Sequence, residues 1–196
     1  LHMFELMHQG KMNGFITQGF NPLATVPNKN KLSAALSKLK YLVSIDPLET
    51  ETADFWQNFG EFNDVKPESI QTEVFRLPSN CFAEEEGSLT NSSRVVIWKE
   101  EAIPLPGEAK VDSEIMARLF VRLREMYAKD GGAFPDPIAG MDWPYVQAKV
   151  PSSRELLREI NGRAITDLQA PPDPNNPDAP RAVLLKAGQQ VAGFAQ

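Results

Sequence analysis

The chain has 196 residues, a formal net charge of −6, 42% hydrophobic residues and a single cysteine. That length gives room for one domain with a sizeable core. The acidic balance argues against a nucleic-acid footprint, one cysteine excludes a disulfide framework or a CxxC cluster site, and no apolar run nears the ~20 residues that span a bilayer.

Residues 1–11 (LHMFELMHQGK) pattern as an amphipathic helix with Phe4, Leu6, Met7 and Met12 on its apolar side and Gly14 as its stop. His2 and His8 stand six apart, which is not helical metal-ligand spacing, so they read as surface or half-buried side chains. The same residues show neither the basic start nor the cleavage pattern of a secretory leader. Residues 15–17 (FIT) read as a first strand that runs into a loop at 18–22 (QGFNP) and a second loop at 26–28 (VPN). A helix follows, with Leu32, Ala35, Leu36 and Leu39 at i, i+3, i+4 and i+7. Residues 41–45 (YLVSI) form a second strand that ends at Asp46.

Two apolar strands joined by one helix predict a parallel, right-handed βαβ unit. Ligands of such sheets sit beyond the carboxyl ends of the strands. Both ends are polar here: Gly19, Asn21 and Pro22 follow the first strand, and Asp46, Thr50 and Thr52 follow the second. The arrangement fits a large, polar, nucleotide-like ligand. A simpler reading makes Asp46-Pro47 only a turn, since Asx residues favour such places.

Further along, a short helix is expected near 52–56, then a polar loop at 58–68 that is either a surface excursion or a cover for a ligand or partner. Residues 72–78 alternate as a third strand ended by Pro78, with Ser79-Asn80 on the ligand side. Cys81 reads as a buried structural thiol. Glu84, Glu85 and Glu86 read as a solvated loop, because three consecutive charges cannot share one strand face. Residues 88–90 and 94–98 flank Asn91-Ser92-Ser93 as a hairpin.

Asp112 is expected to cap the strongest helix, 112–129, whose Ile115/Leu119/Leu123 stripe should pack on the core while Arg118, Arg122 and Arg124 face solvent. Gly131-Gly132 stops it, a loop covers 135–143, and Ser152-Ser153-Arg154-Glu155 opens a short helix ending at Asn161-Gly162. Residues 167–180 (DLQAPPDPNNPDAP) are too Pro-rich for regular structure and are expected to be mobile. Residues 182–185 and 190–192 would pair as a last hairpin.

Several of these stretches, in order, carry a family resemblance. QGFNPLATVPNKNKL followed by YLVSIDPLETETADFW resembles the major subunit of respiratory formate dehydrogenases, members of the molybdopterin oxidoreductase (dimethyl sulfoxide reductase) superfamily. The motifs are Gly19-Phe20-Asn21-Pro22, Asp46 at a strand end, Thr50-Glu51-Thr52-Ala53, Leu77-Pro78, and the 86–94 stretch EGSLTNSSR, similar to the family's acidic-Gly-Thr-x-x-Asn-x-x-Arg hairpin.

The resemblance implies an α/β fold with a Rossmann-like parallel βαβ core of the formate dehydrogenase/DMSO reductase type, an added β-hairpin and C-terminal helices. It implies a binding core at 1–110 and a helical, loop-rich extension of the same domain at 111–196. It also implies that the chain is an internal piece of a longer protein, whose metal ligand and iron–sulfur segments lie elsewhere, so that the piece alone would be inactive and hold no cofactor.

The implied cofactor is a bis-molybdopterin guanine dinucleotide with molybdenum or tungsten. The implied partners are the rest of the same polypeptide and an iron–sulfur electron-transfer subunit, with no nucleic acid and no membrane insertion. The compartment would be periplasmic, with cytoplasmic as the alternative.

Such a cofactor needs backbone N–H groups for its pyrophosphate, partners for its ribose hydroxyls, and an acceptor for guanine N1–H and the N2 amine, a task that suits a carboxylate. Gln18, Gly19, Asn21 and Pro22 suit the first demand, Asp46 the last, and Asn28, Thr50 and Thr52 the remainder. The competing readings are another molybdopterin oxidoreductase acting on nitrate or a sulfur oxyanion, and a nucleotide-free interaction module. A dinucleotide-binding dehydrogenase is disfavoured by the missing Gly-x-Gly-x-x-Gly.

Overall fold

The structure is a computed structural model that describes residues 2–57, 64–90, 92, 96–145, 150–160 and 162–190. The chain divides into two compact units, one of Leu1–Glu85 with Glu101–Asp142 and one of Glu86–Glu100 with Trp143–Gln196.

The first unit opens on helix α1 (His2–His8). Gly10, at φ 70°, ends it, and the Lys11 N–H reaches back to the Leu6 carbonyl at 3.0 Å. The stop is therefore Gly10 and not Gly14, which instead begins strand β1 (Gly14–Gln18). The loop expected at 18–22 is shorter than its sequence indicates, because Pro22 starts a one-turn helix, α2 (Pro22–Thr25). Proline fits that first position: its φ is already helical and its missing N–H would have no partner there.

Helix α3 (Lys29–Leu36) follows and leads into strand β2 (Tyr41–Asp46). Two 3-10 turns, Phe55–Gln57 and Pro67–Ser69, lie between β2 and strand β3 (Glu73–Pro78). The three strands are parallel in the order β1-β2-β3, as the βαβ reading requires.

The register sets Phe15 beside Leu42 and Leu42 beside Val74. That row faces the core, where Met7, Leu32, Leu36 and Leu39 join Leu42 and Phe55, all at most 3% exposed. Each such side chain stabilises the fold by roughly 1.5–3 kcal/mol on full burial. The next row, Ile16, Val43 and Phe75, points the other way. Ile16 and Phe75 there are 52% and 43% exposed, so burial is incomplete on that face.

Helix α4 (Asp112–Asp130) shows the same departure. Val111, not Asp112, holds its cap position, and only Ile115 and Ala117 are buried. Leu119, Leu123 and Met126 are exposed, so the apolar stripe is real but packs only at its first turns. Gly131, at φ 67°, ends α4, and a short helix, α5 (Asp136–Ala139), occupies part of the stretch expected as loop. Cys81 is half-buried rather than enclosed. Glu84 is held by the Cys81 N–H at 2.8 Å, so this acidic run is bonded rather than freely solvated.

In the second unit, β4 (Gly87–Thr90) and β5 (Val96–Lys99) form the expected antiparallel hairpin. Residues 91 and 93–95 lie outside the described residues. Helix α6 (Ser153–Ile160) begins with a reciprocal cap, Ser152 N–H to Glu155 Oε2 at 2.8 Å and Glu155 N–H to Ser152 Oγ at 3.2 Å. The Arg154 guanidinium lies 4.7 Å over the Trp98 ring and pairs with Glu86 and Glu100.

One pairing in this unit was not expected from the sequence. Strand β6 (Leu168–Gln169), inside the Pro-rich stretch, pairs antiparallel with β7 (Val183–Leu185). The far side of the expected pairing, residues 191–192, lies outside the described residues.

Candidate functional site

Where β2 and β3 end, a cleft of about 260 Å³ opens in the first unit, lined among others by Ser44, Asp46, Glu49, Ala53, Arg76 and Pro78. Asp46 is partly buried there. Among the described residues, its carboxylate accepts one side-chain hydrogen bond, from Ser44 Oγ at 3.2 Å. Burial pushes its pKa up, the Ser44 bond pulls it down, and the charge of Asp112 raises it further. An acceptor with spare lone pairs, partly withdrawn from water, is what the donor edge of a bound base requires.

Beside it, Arg76 Nη1 lies 2.7 Å from Glu49 Oε1 and 3.5 Å from Asp54 Oδ1. The Asp54 side chain is 9% exposed, and that oxygen has no hydrogen-bond partner among the described residues. Burial, with the Glu49 carboxylate beside it, pushes the Asp54 pKa up, while its contact with Asp54 and the Arg76 guanidinium hold Glu49 down.

The loop after β1 is tied to the segment after β2. The Gly19 N–H donates to the Ile45 carbonyl at 3.0 Å, and Gly19 itself has φ 56°, a conformation that favours glycine. Asn21 Nδ2 donates to Glu51 Oε2 at 2.5 Å, and Asn21 Oδ1 accepts from Thr52 Oγ1 at 2.7 Å. The Leu23 N–H donates to the same Thr52 oxygen at 3.1 Å. Thr50 Oγ1 accepts from the Ala53 N–H at 3.4 Å.

Gln18, at the end of β1, donates to Asp112 Oδ2 at 2.8 Å, while Asp112 Oδ1 is buried without a partner. The Asp112 N–H donates to Asn80 Oδ1 at 3.1 Å. The carboxyl ends of the sheet and the start of α4 thus share one polar rim.

Of the eight residues marked from sequence, Asp46 lines the cleft. The others are not among its lining: Gln18 ends β1, Gly19 and Asn21 form the loop after it, Pro22 opens α2, and Thr50 and Thr52 follow β2, with Pro22 and Thr52 buried. Asn28 is placed elsewhere: it caps α3 and lines a larger cleft of about 400 Å³ with His2, Phe4, Glu5 and Lys31. The charged groups of that cleft satisfy each other, since Lys31 bonds Glu5 and holds its pKa down. The smaller cleft therefore has the better claim to a polar ligand.

Sequence reasoning passed over Glu49, Arg76 and Ser44. Their signal was weak but present: Ser44 and Asp46 share one strand face, and Arg76 stands two residues before Pro78 in the next strand. Among the described residues, no group of three or more His, Cys, Asp or Glu side chains is placed to hold a metal ion. No helix among them is long and apolar enough to cross a membrane.

No protein-family model matches the chain. The chain is similar to the formate dehydrogenase-O major subunit of Escherichia coli (strain K12), with 53% identity over 196 residues, 100% of this chain and 19% of that protein. It is similar to the formate dehydrogenase major subunit of Haemophilus influenzae, with 49% identity over 191 residues, 97% of this chain and 18% of that protein. A weaker likeness joins it to the assimilatory nitrate reductase catalytic subunit of Bacillus subtilis (strain 168), 32% identical over 117 residues, 60% of this chain and 14% of that protein. The chain spans about a fifth of the length of the curated relatives it matches.

Proposed function

Since the chain belongs to the family of formate dehydrogenase major subunits, we propose that it is the part of such an enzyme that binds the guanine nucleotide end of a bis-molybdopterin guanine dinucleotide. The observation that supports this most directly is Asp46: a partly buried carboxylate with one side-chain bond, at the carboxyl end of a parallel strand, in a cleft. Guanine offers N1–H and the N2 amine to one carboxylate, and hydrogen bonds to a charged group contribute on the order of 1.5–3 kcal/mol each.

The residues present fit that group. The cleft offers an acceptor at Asp46, and the loop at Gly19 brings backbone close to it. The molybdenum or tungsten centre, when bound, supplies the oxidation of formate to carbon dioxide, and iron–sulfur clusters outside this chain carry the electrons away. This chain's own work is to bind and orient the nucleotide. Residues 1–110 serve as the binding core and 111–196 as its extension, in contact with the rest of the polypeptide and an iron–sulfur subunit, in the periplasm. By itself the piece carries out no turnover.

Formate is preferred to nitrate as substrate because the formate dehydrogenase subunits match nearly the whole chain at 49–53% identity, and the nitrate reductase matches 60% of it at 32%. The test is Asp46→Asn in the full-length enzyme. The amide sets a donor against a guanine donor, so guanine released per protein on denaturation should fall while the thermal melt keeps its shape. Normal guanine content with normal folding would leave Asp46 as a turn residue.

A further inference from the structure

Arg76 stands beside Asp46 and does not pair with it. The register sets Ser44 beside Arg76 and Asp46 beside Pro78. Ser44, Asp46 and Arg76 therefore project from the same face of the sheet, and all three line one cleft. A guanidinium one strand over from a carboxylate is its natural partner: the fork is planar, permanently charged and able to bond both oxygens. Such a pair would occupy the acceptors that a base needs.

Instead, Arg76 Nη1 is drawn to Glu49 Oε1 at 2.7 Å and lies 3.5 Å from Asp54 Oδ1. Asp46 is left with Ser44 alone among the described side chains. The Glu49 contact is the only hydrogen bond the guanidinium makes among the described residues.

We propose that Glu49 is a positioning residue that holds Arg76 away from Asp46 and so keeps the Asp46 carboxylate open to the donor edge of the guanine. The proposal rests on the reading of Asp46 given above. Glu49 need not touch the nucleotide; it acts through Arg76. Asp54 lies near the same guanidinium, its Oδ1 3.5 Å from Arg76 Nη1, at a distance that leaves the hydrogen bond to Glu49.

The raised pKa of Asp46 agrees with this arrangement: burial and the Asp112 charge raise it against the lowering bond from Ser44, and Arg76 is not among the causes. A guanidinium bonded to Asp46 would pull the carboxyl down instead.

The test uses the full-length holoenzyme and reads guanine released on acid hydrolysis, per mole of protein, before and after prolonged dialysis, with a thermal melt on the same preparation. Glu49→Gln keeps the shape of the side chain and loses its charge, so Arg76 should swing to Asp46 and guanine retention should fall several-fold. Adding Arg76→Gln to that variant removes the competing cation and should restore retention. A Glu49→Gln defect that persists in the double variant would overturn the proposal, because Glu49 would then act directly or through the fold. Asp46→Asn separates the two levels. If it lowers retention and Glu49→Gln does not, the positioning role fails and the Asp46 reading stands. If Asp46→Asn leaves retention at the wild-type level, both fail.

Discussion

Thr52 Oγ1 donates to Asn21 Oδ1 at 2.7 Å, joining the loop after β1 to the segment after β2 across 31 residues of sequence. The Thr52 side chain is fully buried, and its oxygen also accepts the Leu23 N–H at 3.1 Å. Asn21 completes the clamp by donating to Glu51. One hydroxyl thus serves as donor to the Asn21 side chain and as acceptor for the Leu23 backbone in α2, so the segments that follow β1 and β2 are held together.

Thr52→Val should loosen that clamp and Thr52→Ser should largely keep it. Valine has the same shape but no hydroxyl, and it strands the buried Leu23 N–H and the part-buried amide oxygen of Asn21. Each stranded group costs about 1–3 kcal/mol. Serine retains both bonds and loses one methyl, about 0.8 kcal/mol. Hydrogen exchange of the Leu23 amide in the full-length protein reads the difference: fast in Thr52→Val, near wild type in Thr52→Ser. Equal protection in the two variants would show that the hydroxyl does not hold the loop.

What the sequence made legible follows from the range of the interactions involved. The three parallel strands were readable because a strand's pattern repeats every two residues and its ends carry turn chemistry, as at Asp46 and Pro78. Asp46 as a candidate acceptor came from the same local rule. The bond between Thr52 and Asn21, and the pull of Glu49 on Arg76 across 27 residues, came from no local pattern, because they depend on which loops the fold brings together.

The helix at 112–130 shows a different limit. Its period marked an apolar stripe correctly, but periodicity cannot say what covers a stripe, and Leu119 and Leu123 are exposed. β7 pairs with Leu168–Gln169, a distant partner that no local pattern pointed to, while residues 191–192, the far side of the expected pairing, lie outside the described residues.

Asp46 should give nucleotide retention a characteristic pH dependence. Only the ionised carboxylate offers an acceptor to both guanine donors, so retention should fall as pH drops through the Asp46 pKa. Burial sets that pKa above the ordinary aspartate value of 3.8, and the fall should begin at correspondingly higher pH. For the ligand-free fold the sign is opposite. A raised pKa means the folded state binds the proton more tightly than the unfolded state, so this contribution to stability is present below the ordinary value and is lost as pH rises through the raised one. Guanine release measured against pH for wild type and Asp46→Asn isolates the group: the step attributable to Asp46 should vanish in the variant. A step that survives the substitution belongs to another residue.

Asn28 tests whether a residue marked as a ligand contact is instead a structural one. Its side chain accepts the Lys31 N–H at 3.1 Å, its carbonyl accepts the Leu32 N–H at 3.1 Å, and its backbone sits at φ 65°. Asparagine meets both needs, capping a helix and tolerating the left-handed region. Asn28→Ala loses the cap, about 1 kcal/mol, and keeps a Cβ in the left-handed conformation without the polar side chain that helps asparagine tolerate its cost of roughly 1–2 kcal/mol. Asn28→Gly loses the same side-chain bond but relieves the backbone, and Asn28→Asp keeps an acceptor in place. The opening free energy of α3, read by hydrogen exchange across residues 29–36 in the full-length protein, should therefore drop most for alanine and much less for glycine and aspartate. Alanine and glycine variants that exchange alike would mean the left-handed backbone carries no strain. Guanine content on the same samples decides the rest: a loss in all three variants while glycine and aspartate preserve α3 would return Asn28 to the binding site, and unchanged content would fix its role as the cap that starts the crossover helix.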